Sequence, residues 1–278
     1  MQQSPDNGRS NANRSVVLVT GSSSGIGRAC SDHLTANGHT VYGGSRSGTS
    51  GSGWTHISLD VTDDASVNDA ISQIEAEHGR IDALVHCAGI SIAGALEDIT
   101  IDEARRQFDT NYFGAIRTTR AVLPAMRKRR TGKVIIIGSI GGLIGLPFIG
   151  HYSASKFALD GFMQALRTEL LPFGVQATVV HPGDIRTAIA QNQIMASAAD
   201  ASSDYAGLCT RTVNLYTDSV SKAPEPIIVA QLIERLMARK KLAPNYLVGS
   251  SLEKVAVGLK AWLPASSFEF IFRKAYGL

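Results

Sequence analysis

The sequence has few cysteines, and their placement excludes two kinds of structural site. Cys30, Cys87 and Cys209 are its three cysteines, and they are far apart. An odd number without a CxxC pair gives neither a disulfide framework nor a zinc site, so we predict free thiols and no bound metal. Free thiols fit a reducing compartment, and we therefore expect a cytoplasmic protein.

Long apolar runs and a strong excess of charge are also missing. No stretch approaches the roughly 18 apolar residues that a membrane-spanning helix needs. The formal net charge of +3 is too small to favour a nucleic-acid partner. The basic run at 126–130 is better explained as the end of a long helix, where cations complement the helix dipole. Residues 1–14 are polar, lack the apolar core of a signal peptide and predict a disordered tail.

Short β-branched runs alternate with amphipathic stretches along the rest of the chain. The runs predict buried strands at 15–20, 39–44, 55–61, 81–86, 133–139, 175–183 and 245–249. The amphipathic stretches predict helices at 26–37, 63–78, 100–130, 152–171 and 226–240. This alternation predicts an α/β fold, a doubly wound (Rossmann) parallel sheet of about seven strands with helices on both faces. Its ligand site should lie at the carboxyl ends of the strands.

The predicted domain spans residues 15–250. The structure of two segments, one inside this domain and one after it, is less clear from the sequence. Residues 188–222 have no clear periodicity, which leaves a mobile substrate lid and ordinary loop-plus-helix packing as alternatives. Residues 251–278 form an amphipathic extension with apolar side chains at roughly helical spacing: Leu252, Val255, Leu259, Trp262, Leu263, Phe268, Ile271 and Phe272. The extension could cap a hydrophobic substrate, lie on a membrane surface or pack on the body of the domain.

The first predicted strand leads into a glycine-rich turn. Gly21, Gly25 and Gly27 stand in a G-x-x-x-G-x-G pattern between that strand and the next helix. Glycine allows the backbone to approach a pyrophosphate, which then rests on the helix N-terminus. The pattern opens a series of βαβ units, and this context indicates a dinucleotide site.

The end of the second strand indicates which dinucleotide is bound. NAD-binding units usually carry an acidic residue there, which holds the ribose 2′-hydroxyl. This sequence has Ser45 and Arg46 instead. A guanidinium suits a 2′-phosphate, so NADP(H) is favoured and NAD(H) is the alternative. Arg46 could also be a solvated loop cation.

A tyrosine and a lysine four residues apart suggest acid–base chemistry. In a helix, Tyr152 and Lys156 lie on one face, close together. A free tyrosine has a pKa near 10, and a nearby cation should lower it toward neutrality. Ser139 ends a strand that faces the same crevice, where its hydroxyl could stabilise a developing oxyanion.

These motifs together resemble the short-chain dehydrogenase/reductase family, in its compact single-domain branch. Further matches are Asp60-Val61, Ala88-Gly89, Asn111 within NYFG, and HPGDIRT at 181–187. The resemblance implies that Tyr152 is the catalytic acid–base, Ser139 orients the substrate oxygen, Lys156 also holds the nicotinamide ribose and Asn111 anchors a water from a locally distorted helix. It implies that the cofactor is bound by Gly21, Ser23, Ser24, Gly25, Ile26, Gly27, Arg46, Asp60, Val61, Ala88, Gly89, Tyr152, Lys156, Pro182, Gly183, Ile185 and Thr187.

One motif departs from the family pattern. His86 and Cys87 stand where the family commonly has two asparagines, which support the sheet and a cofactor contact. The substitution bears on local geometry more than on chemistry. A catalytic role for His86 is conceivable, but a core histidine is the simpler interpretation.

The expected reaction is hydride transfer between NADP(H) and a carbonyl or secondary alcohol of a hydrophobic substrate. The C-terminal extension resembles that of hydroxysteroid and retinol dehydrogenase-like members, so steroids, retinoids and long-chain oxo compounds are candidates. The apolar loop at 143–149 could line the pocket or pack under the next helix. A 3-oxoacyl-carrier reductase and a non-catalytic NADP(H)-sensing regulatory protein are the alternatives. The resemblance also implies a homodimer or homotetramer, and weak peripheral membrane contact stays open.

Overall fold

A parallel sheet organises the chain. The computed structural model describes residues 14–48, 50–187 and 193–277. The 7-stranded sheet has the order β3-β2-β1-β4-β6-β7-β9, and every neighbouring pair is parallel. Its strands are β1 (Val16–Thr20), β2 (Thr40–Ser45), β3 (Thr55–Ser58), β4 (Ala83–His86), β6 (Gly132–Ile137), β7 (Val175–Pro182) and β9 (Asn245–Val248). All the predicted strands are confirmed, and a short extra pair, β5 (Ile92–Ala93) and β8 (Ile194–Met195), lies apart from them.

Helices cover both faces of the sheet, as predicted. The helices are α1 (Gly25–Ala36), α2 (Asp64–His78), α3 (Ile101–Phe108), α4 (Gly114–Arg129), α5 (Gly150–Leu170), α6 (Ala206–Ser221), α7 (Ile227–Ala238), α8 (Ser251–Trp262) and α9 (Ala265–Ala275). On one face, Val17 and Val19 pack in a cluster with α1 and α7. On the other face, Leu18 packs in a cluster with α2, α4 and α5. Successive strand residues point to opposite faces, which explains why β1 is apolar throughout.

Local capping explains where several helices begin and end. Asp63 caps α2 by accepting from the Ala65 amide at 2.9 Å, and Gly79 ends that helix in the left-handed region. Thr100 and Glu103 form a reciprocal capping box at the start of α3. The basic run at 126–130 ends α4, as its sequence predicts.

The long helix predicted at 100–130 is interrupted. A π-helical turn, Asp109–Phe113, separates α3 from α4 and contains the buried Asn111. Such turns insert an extra residue into a helix and frequently mark functional sites. The distortion expected around Asn111 is therefore present.

Both less regular segments contain helices. Within the described part of 188–222, β8 and α6 form, which favours loop-plus-helix packing; residues 188–192 lie outside the described ranges. The extension folds into α8 and α9. The three cysteines are free. The tail predicted at 1–14 falls almost wholly outside the described residues, and none of the helices described is long and apolar enough to cross a bilayer.

Candidate active site

A single cleft gathers the residues that the motifs single out. It lies where the strand order reverses, between β1 and β4, and has a volume of about 470 Å³. Its walls include all but one of the predicted site residues: Gly21, Ser23, Ser24, Gly25, Ile26, Gly27, Arg46, Asp60, Val61, Ala88, Gly89, Ser139, Tyr152, Lys156, Pro182, Gly183, Ile185 and Thr187. Asn111 is the exception, because it is fully buried behind the cleft wall.

The glycine-rich turn is too tightly packed for side chains. Gly21 has a φ of +68°, and a Cβ there would lie 2.9 Å from the backbone nitrogen of Ala88. A Cβ on Gly27 would lie 2.3 Å from the Gly21 carbonyl oxygen. Thr20 supports the same corner, since its Oγ1 accepts from the amides of Cys87 and Ala88 at 3.1 and 3.2 Å. The backbone cradle at the start of α1 thus fits the pyrophosphate of a dinucleotide.

The outer end of the cleft carries opposite charges. Asp60 Oδ1 accepts from the Thr62 amide and hydroxyl at 2.9 and 2.8 Å. Burial raises the pKa of Asp60, but these hydrogen bonds and the charges of Arg46 and Arg117 outweigh it, so the net shift is downward. Arg46 is exposed at the cleft edge, and the Ser24 side chain makes no capping hydrogen bond at the start of α1. Both side chains are therefore available to an anionic ligand.

The inner end of the cleft contains the predicted catalytic residues. Ser139 follows β6, and its Oγ accepts from the Gly141 amide at 3.0 Å. Tyr152 and Lys156 lie in the first turns of α5 and are both buried. The Lys156 Nζ lies 5.7 Å from the Tyr152 ring centroid and donates to the Ile137 carbonyl at 2.9 Å. The fold therefore brings the serine, the phenol and the ammonium to one wall.

The protonation of this group differs from the sequence-based expectation. Burial raises the pKa of Tyr152, and the hydrogen bond with Ser139 lowers it only in part. Burial lowers the pKa of Lys156 to about 8, against the opposing effects of Cys87 and Asp160. The prediction that Lys156 brings the tyrosine pKa down is thus wrong for this structure, because burial sets the direction of the shift and only the Ser139 hydrogen bond opposes it. Tyr152 is a neutral phenol, a state suited to donating a proton.

Asn111 supports the cleft from behind. Its Oδ1 accepts from the Ile90 amide at 2.8 Å, and its Nδ2 donates to the Ile90 carbonyl at 2.9 Å and the Ser155 hydroxyl at 3.1 Å. A Cβ on Gly89 would lie 3.3 Å from the Asn111 Oδ1 and 3.8 Å from the Lys156 Nζ. The π-helical turn thus holds the Asn111 amide behind Gly89 and Ile90, the place from which the resemblance implies that it anchors a water.

His86 is a core histidine, as the simpler interpretation held. Its Nδ1 lies 3.1 Å from the hydroxyls of both Thr20 and Thr118. Burial, with a smaller contribution from the Lys156 charge, lowers its pKa to about 3, so the ring is neutral. The neighbouring Cys87 lines the cleft. His86 therefore supports the sheet through the hydroxyls of Thr20 and Thr118, in a position where the family commonly has an asparagine side chain.

A glutamate from the C-terminal extension holds the loop after β7. Glu253 accepts from the Asp184 amide and the Ser250 amide, each at 2.6 Å. A Cβ on Gly183 would lie 2.1 Å from the Glu253 Oε1, so a larger residue there would have to displace the glutamate carboxylate. The loop that contains Pro182 and Gly183 is thereby tied to α8, a contact that no sequence motif indicated.

A small apolar cavity of about 10 Å³, close to Tyr152, is built from segments distant in sequence. It is lined by Leu146, Pro147, Ile149, Gln193, Thr212, Val213, Tyr216 and Tyr276. Leu146 and Ile149 also form a cluster with Tyr152, against which Phe272 of α9 packs. The loop at 143–149 was expected either to line a pocket or to pack under the next helix. It both lines this cavity and packs against its neighbours. Tyr216 and Ile194 line the main cleft as well, although neither belongs to a recognisable motif.

Comparisons with known proteins agree with this geometry. The profile of the short chain dehydrogenase family matches residues 15–197. A 3-ketodihydrosphingosine reductase of Bacteroides thetaiotaomicron is 37% identical over 264 residues, which cover 95% of this chain and 98% of the relative. Dehydrogenase/reductase SDR family member 7B of Xenopus tropicalis is 32% identical over 277 residues, covering 94% and 85% respectively. The crystal structure of a short-chain dehydrogenase from Streptomyces avermitilis has a TM-score of 0.78 and 31% identity, covering 94% of this chain and 98% of that one.

The fold and the cleft define an oxidoreductase that works with a nicotinamide dinucleotide. The chain belongs to the short-chain dehydrogenase/reductase family, as its motifs predict. The doubly wound fold is confirmed by the likeness to the Streptomyces avermitilis structure.

Proposed function

We propose that this enzyme is an NADP(H)-dependent reductase of ketones that carry a long apolar chain. The observation that carries the proposal is the position of the neutral, buried Tyr152, which lines the dinucleotide cleft together with Ser139 and packs on its other side against the apolar side chains of Leu146 and Ile149. The cleft side of Tyr152 suits the cofactor, and its apolar side suits a hydrocarbon chain. A bound nicotinamide would supply hydride to the carbonyl carbon.

The protein side of the reaction is proton delivery. As the carbonyl oxygen becomes an alkoxide, the Ser139 hydroxyl donates a hydrogen bond to it and Tyr152 Oη transfers its proton to it. The phenolate left on Tyr152 is stabilised by the Lys156 ammonium beside the ring. Asn111 donates to the Ile90 carbonyl behind the cleft wall, and a water bound there would return the proton.

The choice of NADP(H) over NAD(H) rests on the outer end of the cleft. Arg46 presents a permanent cation, and Ser24 presents a hydroxyl at the start of α1. A guanidinium binds a phosphate with two parallel hydrogen bonds, whereas it offers no acceptor to a ribose hydroxyl. The carboxylate of Asp60 stands farther along the chain, after β3, and suits the adenine as the family pattern implies.

The long-chain substrate class rests on the apolar cavity and on one relative. The walls Leu146, Pro147 and Ile149 are apolar, and Tyr216 and Tyr276 add aromatic surface; at about 10 Å³ the cavity has to widen before it admits an alkyl chain. The Bacteroides relative, matched along nearly its whole length, is named a 3-ketodihydrosphingosine reductase. We propose a substrate of the same kind, a ketone near the polar end of an alkyl chain. Steroid and retinoid carbonyls are the other apolar substrates of this wider class.

A substrate panel tests this proposal. The purified enzyme is given NADPH with 3-ketodihydrosphingosine, a steroid ketone, retinal, a 3-oxoacyl-carrier thioester and a short water-soluble ketone, and NADPH loss is followed. We expect the highest kcat/KM for the long-chain ketone, and a higher value with NADPH than with NADH. A preference for the carrier thioester would move the enzyme to the carrier-reductase class. Binding of NADPH without turnover of any carbonyl would favour a regulatory sensor.

Assembly and location are further parts of the proposal. The side chains of Ile101 on α3, Phe113 in the π-helical turn and Phe157 on α5 are large, apolar and exposed, and they support the homodimer or homotetramer that the resemblance implies. Analytical ultracentrifugation would show a single monomer species if this is wrong. The free cysteines support a cytoplasmic location, which cell fractionation would check.

A further inference from the structure

The two C-terminal helices leave an apolar surface uncovered. We define the C-terminal apolar surface as Leu252, Val255, Leu259 and Trp262 of α8 with Phe270 and Ile271 of α9, all of which are exposed. Leu252 is 78% exposed and Trp262 is 88% exposed. Large apolar side chains are normally scattered singly on a protein surface, and clusters mark interaction sites.

The four α8 side chains form one stripe rather than a scatter. They follow one another at intervals of three, four and three residues, the spacing of a single helix face. A stripe of this kind usually faces the core. Here the contacts of α8 with the domain include Glu253, which accepts from the Asp184 amide, and Lys260, which donates to the Leu143 carbonyl. The stripe therefore points away from the domain because the opposite face is already anchored to it.

The charges around this surface are mostly positive. Lys254 is exposed on α8, while Arg273 and Lys274 lie over the Phe270 ring at 5.8 and 4.7 Å from its centroid. Glu269 is the exposed acid of the two helices, since Glu253 is engaged with backbone amides. Apolar side chains flanked by Lys and Arg are the pattern of a helix that lies in the interface of an anionic membrane.

The other side of α9 faces the active site. Phe268 is buried, and its ring stacks on Phe272 with centroids 5.6 Å apart. Phe272 packs against the cluster that contains Tyr152, and Tyr276 lines the apolar cavity. One short helix thus separates the catalytic cavity from the exposed surface.

We propose that the C-terminal apolar surface docks onto the surface of a bilayer that contains anionic phospholipid. Docking inserts the side chains of α8 and α9 among the headgroups and brings the cations to the lipid phosphates. It is peripheral, since the residues lie on the outside of short amphipathic helices. Docking would let a long-chain ketone enter the active site from the lipid, and this consequence rests on the proposed function. The docking itself does not rest on it.

Vesicle binding by the full-length protein tests the docking directly, without substrate. Cosedimentation is measured with vesicles of phosphatidylcholine alone and of phosphatidylcholine with phosphatidylglycerol. We expect binding to the mixed vesicles and, at low salt, a loss of about fivefold for each of Lys254, Arg273 and Lys274 replaced by Gln. Tryptophan fluorescence should shift to the blue on binding, because Trp262 is exposed whereas Trp54, the other tryptophan, is 3% exposed and already buried.

A pair of matched variants separates docking from general surface effects. Leu259→Ser with Trp262→Ser removes two side chains of the surface, and Leu171→Ser removes an exposed leucine elsewhere. We expect the double variant to bind vesicles about tenfold or more weakly and the control to bind like the parent. Turnover of a short water-soluble ketone should be equal in all three proteins, which shows that folding is intact.

Two outcomes would overturn the proposal. In one, the parent protein binds neither kind of vesicle. In the other, the double variant loses self-association in ultracentrifugation while vesicle binding is unchanged, which would make the surface an interface between copies of the chain. A failure of the enzyme to reduce long-chain ketones would contradict the proposed function but leave the vesicle result standing.

Discussion

The buried ammonium of Lys156 predicts how catalysis depends on pH. The ammonium is buried and donates to the Ile137 carbonyl at 2.9 Å. Burial disfavours the charged form and lowers the pKa of Lys156 to about 8. For a lysine with a lowered pKa, the cation is present below that value and is lost above it. Activity that needs the cation must therefore fall as the pH rises through about 8.

The size of the fall follows from this pKa. With a pKa of about 8, the ammonium fraction is about 90% near pH 7 and about 10% near pH 9. The appropriate quantity is kcat/KM for NADPH at saturating ketone, because that ratio reports ionisations of the enzyme before NADPH binds. We expect a decrease of about ninefold between these pH values. Tyr152 should not contribute, since burial raises its pKa and keeps it protonated throughout.

Two variants identify the group responsible. Lys156→Met should have a low kcat/KM that no longer changes over this range. Cys87→Ser alters another ionisable side chain of the same cleft and should retain the decrease. A flat profile in the parent enzyme, or the same decrease in Lys156→Met, would refute the reasoning.

Three further substitutions test other parts of the structure. Arg46→Asp should raise the Michaelis constant for NADPH by about tenfold or more and favour NADH, because a carboxylate repels the 2′-phosphate and accepts from a ribose hydroxyl; an unchanged preference would make Arg46 a solvated cation. Glu253→Ala should lower the free energy of unfolding in urea by about 1–2 kcal/mol and weaken NADPH binding, since the Asp184 amide loses its acceptor. His86→Ala should cost about 1–3 kcal/mol in the same assay by leaving the Thr20 hydroxyl without its buried imidazole partner, and equal stability would show that the hydrogen bond is dispensable.

The fold and the cleft were predictable because their motifs describe local backbone geometry. A glycine turn between a strand and a helix has few other uses, and the structure shows that side chains at Gly21 and Gly27 would clash with backbone. The strand pattern was equally local, because each strand of a two-sided sheet is apolar along its length. The position of Asn111 in a distorted helix came from the family resemblance and is confirmed by the π-helical turn.

The features that the sequence did not predict depend on packing between distant segments. Tyr216 and Tyr276 reach the cavity from helices without a motif, so their position depends on how α6 and α9 dock. The sign of the Tyr152 pKa shift depends on burial, which the spacing to Lys156 does not report. The apolar spacing at 252–262 predicted a helix correctly but did not indicate that the stripe faces outward, because the anchoring contact of Glu253 is made at long range.

The most direct test of the account is the effect of Tyr152→Phe on the chemical step. The variant keeps the ring that packs with Leu146 and Ile149 and removes only the hydroxyl. We predict that it binds NADPH with unchanged affinity by fluorescence titration, while the single-turnover rate of ketone reduction falls by a factor of about 10²–10⁴. A rate within about tenfold of the parent enzyme would show that another group delivers the proton, and the central claim would be wrong.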